Sequence, residues 1–345
     1  MRMEKVLANR LLQLLLPFSL ALLFTSLVLL WAGASPIEAY GNMLRGAFGS
    51  REKWADVLVA WVPLVLCGMG LAFTFTAGLW NIGIEGQMIL GAIGATWVVR
   101  LLQLPSYLLL PASILSSLLA GALWSLVAGI LRIYGKVHEI FAGLGLNFLA
   151  IGLTNYLIFG PWKQPGTATM SGTEVFPSQA QLPNFGGLAL GPVEIGIAGM
   201  AIGLTAILLR GTLFGLKLNA IGRNRHAAFL MGLRIDRNLF TALALAGGMA
   251  GIAGGIQALG LFHRLIPSIS SGYGYLAILV VLLTGSRVLW IAPVAFFFAA
   301  VIKGSLQLPI EMHLDSSLGG VLQGALVLSV MLFRGLQSRM LKEKE

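Results

Sequence analysis

The chain has a single cysteine in 345 residues, Cys67, and four widely spaced histidines: His138, His226, His263 and His313. A lone cysteine forms no intrachain disulfide, and within an apolar run it packs as a small hydrophobe. No cysteines and histidines share the spacing of a metal site. There is no GxxxxGKS/T phosphate cradle, no HExxH and no serine or cysteine triad signature, so an intramembrane enzyme is disfavoured. Charge is scarce as well: 13 acidic and 23 basic residues make up 10% of the chain, against 57% hydrophobic. No soluble fold of this length needs so apolar a composition. The alternation of apolar and polar positions that marks an outer-membrane barrel is also missing.

What is present is a series of apolar runs of about twenty residues, the length that crosses a hydrocarbon core as a helix. Lipid offers backbone groups no partner outside their own segment, so the expected fold is an all-α, polytopic transmembrane helical bundle. About ten spans are expected by length and hydropathy. They lie near 11–32, 55–78, 84–103, 107–131, 139–160, 192–210, 239–262, 272–286, 288–304 and 316–334. The first follows a basic start and precedes small residues at 32–35, which imitates a signal peptide. Its apolar run exceeds the usual h-region of about 7–15 residues, so it is expected to remain as a helix.

The net charge of +10 sits mostly in loops between spans. This excludes nucleic acid as the expected partner and points to the bilayer. With the N-terminus inside, sixteen Lys and Arg fall on the cytoplasmic side and seven outside. That bias supports an even number of spans with both termini cytoplasmic. Spans two to five and seven to ten then have opposite orientations, as an inverted repeat requires. Residues 161–191, rich in Pro, Gly, Ser and Thr, form the expected outer loop. The basic stretch 211–238 lies inside, with an amphipathic pattern at Leu216, Ala220, Ala227, Leu230 and Met231. It docks either on the membrane surface or in the groove of a soluble partner.

Polar residues inside apolar spans are the chemical clues. Asn81, Glu85 and Gln87 lie in NIGIEGQ, after Phe73, Phe75 and Trp80. A carboxylate at membrane depth is costly and marks a functional hypothesis. Glu85 either caps the helix it starts, contacts a solute, or serves as a gate or helix-positioning residue. Asn147, with Asn155 two turns along the same helix, either lines a polar wall or bonds a neighbouring helix. Gln257 lies among glycines and alanines that suit tight packing, and is a weaker pathway candidate. Tyr273 and Tyr275 fit the interfacial belt.

Three segments in order, NIGIEGQMILGA, HEIFAGLGLNFLA and LNAIGRNRHAAFLMGL, resemble the permease subunits of ATP-binding-cassette importers. The superfamily is that of the branched-chain amino acid, ribose and galactoside permeases, in its nucleoside and simple-sugar branch. The resemblance covers about residues 55–335. Members often have Phe where Trp80 stands and Asn where His138 stands. Arg223 and Arg225 replace a Glu and a Pro of the usual coupling segment.

The resemblance implies that 1–345 is one transmembrane permease domain of a bacterial-type inner membrane. It implies a second, similar or identical permease subunit, a cytoplasmic ATPase and an extracytoplasmic solute-binding lipoprotein. ATP and Mg would bind the ATPase, and this chain would bind no cofactor. Gly215, Ala220, Gly222, Arg223, Asn224, Ala227, Ala228 and Gly232 would form the ATPase-coupling segment. A nucleoside or simple sugar would pass near Phe73, Phe75, Trp80, Asn81, Glu85, Gln87, Asn147 and Gln257 by alternating access. The alternative function is a secondary transporter driven by an ion gradient, since broken helices and Glu85 fit that chemistry.

Overall fold

The computed structural model describes residues 19–332, apart from 21, 165–170, 286, 316, 322–323, 326 and 330–331. The described helices are α1 Leu22–Trp31, α2 Pro36–Phe48, α3 Arg51–Thr76, α4 Ile84–Leu101, α5 Ser106–Ile133 and α6 Glu139–Phe159. They continue with α7 Pro192–Arg210, α8 Leu213–Arg223, α9 Arg225–Leu230, α10 Ile235–Ile256, α11 Tyr273–Thr284, α12 Val288–Ser305 and α13 Gln307–Met312. Among the described residues, six stretches are long and apolar enough to cross a membrane: α3, α5, α6, α7, Ile235–Leu261 and Val288–Met312. The chain is a multi-pass helical membrane protein.

Helices form within a few residues of the expected bounds from 55 to 304. The first expected span falls mostly outside the described residues, and the last falls partly outside them. Two differences have clear causes. The stretch after residue 32, expected to lie between spans, holds α2, which meets α1 at a bend of 110°. Gly33 turns left-handed there with φ 80°, and Pro36 opens the new helix with its preset φ. The 211–238 stretch forms two short helices, not one. Asn224 ends α8 in an extended conformation, and its Oδ1 accepts the Ala227 N–H at 3.0 Å to start α9.

The chain divides into two compact units. One comprises the residues up to Val57 and those from Phe297 on. Within it, Gly46 lies against Gln307 and the Gly304 carbonyl, and Leu29, Ala39, Leu308 and Leu318 form a small apolar cluster.

The other unit, Leu58–Phe296, centres on α4, α5 and α10. Helix α4 is buried almost all round from Ile84 to Thr96, the burial expected of a central helix. Helix α5 buries one stripe at four-residue spacing: Leu109, Ser113, Ser117, Gly121, Ser125 and Gly129. Its small side chains let α10 approach backbone to backbone. A methyl group on Gly251 would strike the Ser117 carbonyl, and one on Gly91 would strike Gly251. The Ser125 hydroxyl donates to the Leu243 carbonyl at 2.7 Å. The opposite face of α5 exposes Leu115, Leu119 and Leu123, as a lipid-facing surface does.

The loop after α6 is pinned along 259–265. Thr173 N–H donates to the Leu265 carbonyl at 2.9 Å, Phe176 to His263 at 2.7 Å and Leu182 to Leu259 at 3.1 Å.

Candidate functional site

The site grows from the turn between α3 and α4. Helix α3 closes on a glycine: Gly78, at φ 71°, donates to Phe75 at 3.0 Å, and Leu79 donates to Thr74 at 2.8 Å. This double closure satisfies carbonyls that a helix end leaves open. The chain then reverses through Trp80–Gly83 into α4. Asn81 and Gln87 are both buried and grip each other reciprocally. Asn81 Nδ2 donates to Gln87 Oε1 at 3.0 Å, and Gln87 Nε2 donates to Asn81 Oδ1 at 2.8 Å.

Glu85 lies in the first turn of α4 but serves another helix. Its Oε1 accepts the Gly272 N–H at 3.1 Å and its Oε2 accepts the Tyr275 N–H at 3.3 Å. The Ser270 side chain and the Gly274 backbone also lie against this carboxylate. The turn before α11 is shaped to present them, with positive φ at Ser268, Ser271 and Gly272. A negative group at a helix start meets unpaired N–H groups and a favourable dipole. A carboxylate 4% exposed is held here by donors from one turn.

Asn147 of α6 completes the network. Its Oδ1 accepts the Gly86 N–H at 2.9 Å. Its Nδ2 lies 3.0 Å from both the Ile82 carbonyl and the Tyr275 hydroxyl. The starts of α4 and α11 and the middle of α6 are thereby locked together. Sequence reasoning missed Tyr275 and Ser270. A tyrosine near a span end reads as a belt residue, and nothing local to Ser270 announces a partner 185 positions away.

The other pathway candidates do not join this hydrogen-bond network. Phe73 is fully buried, with its ring 6.3 Å from Phe214. Phe75 and Trp80 pair at 5.4 Å, and Trp80 keeps 44% of its surface open. Gln257 begins a π-type turn after α10 and lines a small pocket with Glu194, Val59, Val62 and Leu190. Among the described residues, Gln257 Oε1 and Glu194 Oε2 are buried there without a hydrogen-bond partner. Sequence reasoning also missed Glu194, a first-turn acid of α7. Asn155 is half-buried on α6.

The expected coupling residues share one stretch. Gly215, Leu218, Ile221 and Ala228 are buried, whereas Leu216, Phe229, Leu230 and Met231 are largely exposed. The face packed on the protein is therefore not the one the apolar pattern marked. Gly222 meets the α3 terminus at close range, because a methyl group there would collide with the Thr76 carbonyl. An added carbon on Gly78 would in turn lie 3.3 Å from Gly222. Arg225 Nη2 donates to the Gly78 carbonyl at 3.4 Å. The basic segment thus rests on the turn that leads to Asn81 and Glu85. No group of Cys, His, Asp and Glu able to hold a metal occurs among the described residues.

Comparison with known proteins gives one family. The model of the branched-chain amino acid transport system permease component matches residues 54–331. The guanosine ABC transporter permease protein NupP of Bacillus subtilis is 29% identical over 321 residues, covering 92% of this chain and 91% of that protein. The glucose ABC transporter permease protein TsgB13 of Haloferax volcanii is 30% identical, covering 89% and 83%. A second B. subtilis protein, the guanosine ABC transporter permease protein NupQ, is 30% identical over 230 residues, covering 64% and 71%.

Proposed function

The chain belongs to the family of branched-chain amino acid transport permease components, and on that premise we propose that it is the membrane-spanning subunit of an ATP-driven importer for a nucleoside or a simple sugar. It is a transport subunit, not an enzyme. The family match across 54–331 carries this conclusion. The solute class comes from relatives named for guanosine and glucose.

In this proposal the chain has about ten spans by length and hydropathy, with both termini in the cytoplasm and its two halves inverted, in a bacterial-type inner membrane. A second permease subunit completes the path, as NupP and NupQ of one organism both resemble this chain. A cytoplasmic ATPase binds ATP and Mg, and an extracytoplasmic lipoprotein delivers the solute.

The geometry supports a route for force. An ATPase that grips α8 and α9 would push on Gly222 and Arg225, and so on the Gly78 turn. Glu85 and Asn147 would carry that displacement to α11 and α6. Alternating access needs such elements to move between discrete arrangements. Asn81, Glu85, Gln87 and Asn147 act here as positioning residues along the path, because their polar atoms are matched within the protein. The exposed face of Trp80, with Phe75 beside it, is the surface on which a nucleobase or sugar ring would stack.

The test is uptake of labelled guanosine and glucose into proteoliposomes holding both permeases, the ATPase and the lipoprotein. ATP-dependent uptake of one solute is expected. Uptake driven by an ion gradient in liposomes that lack the ATPase would overturn the proposal.

A further inference from the structure

We propose that the cleft between α8 and the first turns of α10 binds the headgroup of an anionic phospholipid. It is an open cleft of about 510 Å³ lined by Phe214, Lys217, Arg234, Arg237, Asn238 and Thr241 among others. That volume suits a small ligand. Lys217, Arg234 and Arg237 are exposed, and none of them has an ion-pair partner among the described residues. Asp236, the acid in the same turn, does not line the cleft. Asn238 Nδ2 and Thr241 Oγ1 bond the carbonyls of Arg234 and Arg237 at 2.7 and 2.8 Å, which fixes the turn that carries the two arginines.

Three unpaired cations around one cleft call for an anion, and the position selects a lipid over a soluble one. Helix α8 starts at Leu213, three residues after the end of the membrane-crossing α7, and the membrane-crossing stretch from Ile235 starts on the other side of the cleft. The cleft therefore lies at the boundary of the hydrocarbon layer. Beside Lys217, α8 exposes Leu213 at 73% and Leu216 at 65%. Apolar side chains next to long cations are what an interfacial helix presents, with acyl chains below and phosphates at its edge. Basic pockets at the cytoplasmic ends of spans recognise anionic headgroups in this way. Helix α9 differs, since its exposed Phe229 and Leu230 do not line the cleft. The basic stretch then serves both surfaces, lipid through the first turns of α8 and the motor through the end of α8 and α9. This inference rests on the orientation proposed above, which places residues 211–238 at the cytoplasmic face.

The test compares phosphatidylglycerol with phosphatidylcholine by native mass spectrometry of the purified permease complex and by titration in nanodiscs. Phosphatidylglycerol should bind at least tenfold more tightly. The triple variant Lys217→Gln, Arg234→Gln, Arg237→Gln should lose that preference and keep its thermal transition. A variant with Lys217→Arg, Arg234→Lys and Arg237→Lys should retain the preference. Selectivity that survives the glutamine variant overturns the proposal, as does full competition by inorganic phosphate. Loss of ATPase co-purification with lipid selectivity intact assigns the cleft to the ATPase and also overturns it. ATP-driven uptake by the same triple variant, scored separately, tells failure of the lipid site from failure of the import function.

Discussion

Glu85 accepts backbone N–H groups from the start of α11, so its removal acts on a helix almost two hundred positions along the chain. Glu85→Ala leaves buried donors without a partner. Each such orphan costs about 1–3 kcal/mol, and the thermal transition in detergent should fall by several degrees. Glu85→Gln keeps one carbonyl oxygen facing the turn and should lose about half as much, on the order of 1 kcal/mol. An alanine variant as stable as the parent would show that the carboxylate holds nothing. The importance of Glu85, Asn81, Gln87 and Asn147 was legible in the sequence, because polar groups in apolar spans are rare and need a reason. Their partners were not legible. Glu85 was open to capping its own helix, to touching solute or to a gating or helix-positioning role, and only the tertiary structure brings Gly272 and Tyr275 to its oxygens. The hydroxyl of Tyr275 and the unpartnered Glu194 oxygen are visible only once distant segments meet.

At the scale of elements, tolerance along α10 should follow backbone distance rather than residue type. Gly251→Ala puts a methyl group into the Ser117 carbonyl of α5, where neither backbone can yield. Overpacking of this kind costs about 1–3 kcal/mol. Gly248→Ala meets the Leu118 side chain at 3.3 Å and its carbonyl at an ordinary contact distance of 3.7 Å, and should be nearly neutral. Thermal unfolding of the two variants checks the pair, and equal losses would mean that the glycines do not set the interface. Small residues between spans announced close packing from sequence. Which helix approached was hidden, because the four-residue stripe of α5 and the glycines of α10 fit many partners equally well. The two breaks were signalled locally, by Gly33 with Pro36 and by Asn224. Hydropathy averages over windows longer than such signals, so the α1–α2 bend and the split of α8 from α9 went unread.

At the scale of the whole molecule, the contact of Gly222 and Arg225 with the Gly78 turn should separate hydrolysis from transport. In the reconstituted complex, Gly222→Val with Arg225→Ala should leave the ATPase turning over and reduce solute imported per ATP at least tenfold. An unchanged ratio would remove this contact from the coupling route. The sequence by itself determined that the chain lives in lipid as helices, roughly where they begin and end, and which family it resembles. Those properties follow from local composition, since hydrocarbon imposes the same demand on every segment. Tertiary structure alone decided that Glu85 steadies α11, that Asn81 answers Gln87, and that the basic stretch 211–238 sits on the α3–α4 turn. Each of these depends on atoms within hydrogen-bond or van der Waals reach, a condition that folding sets and that spacing along the chain does not encode.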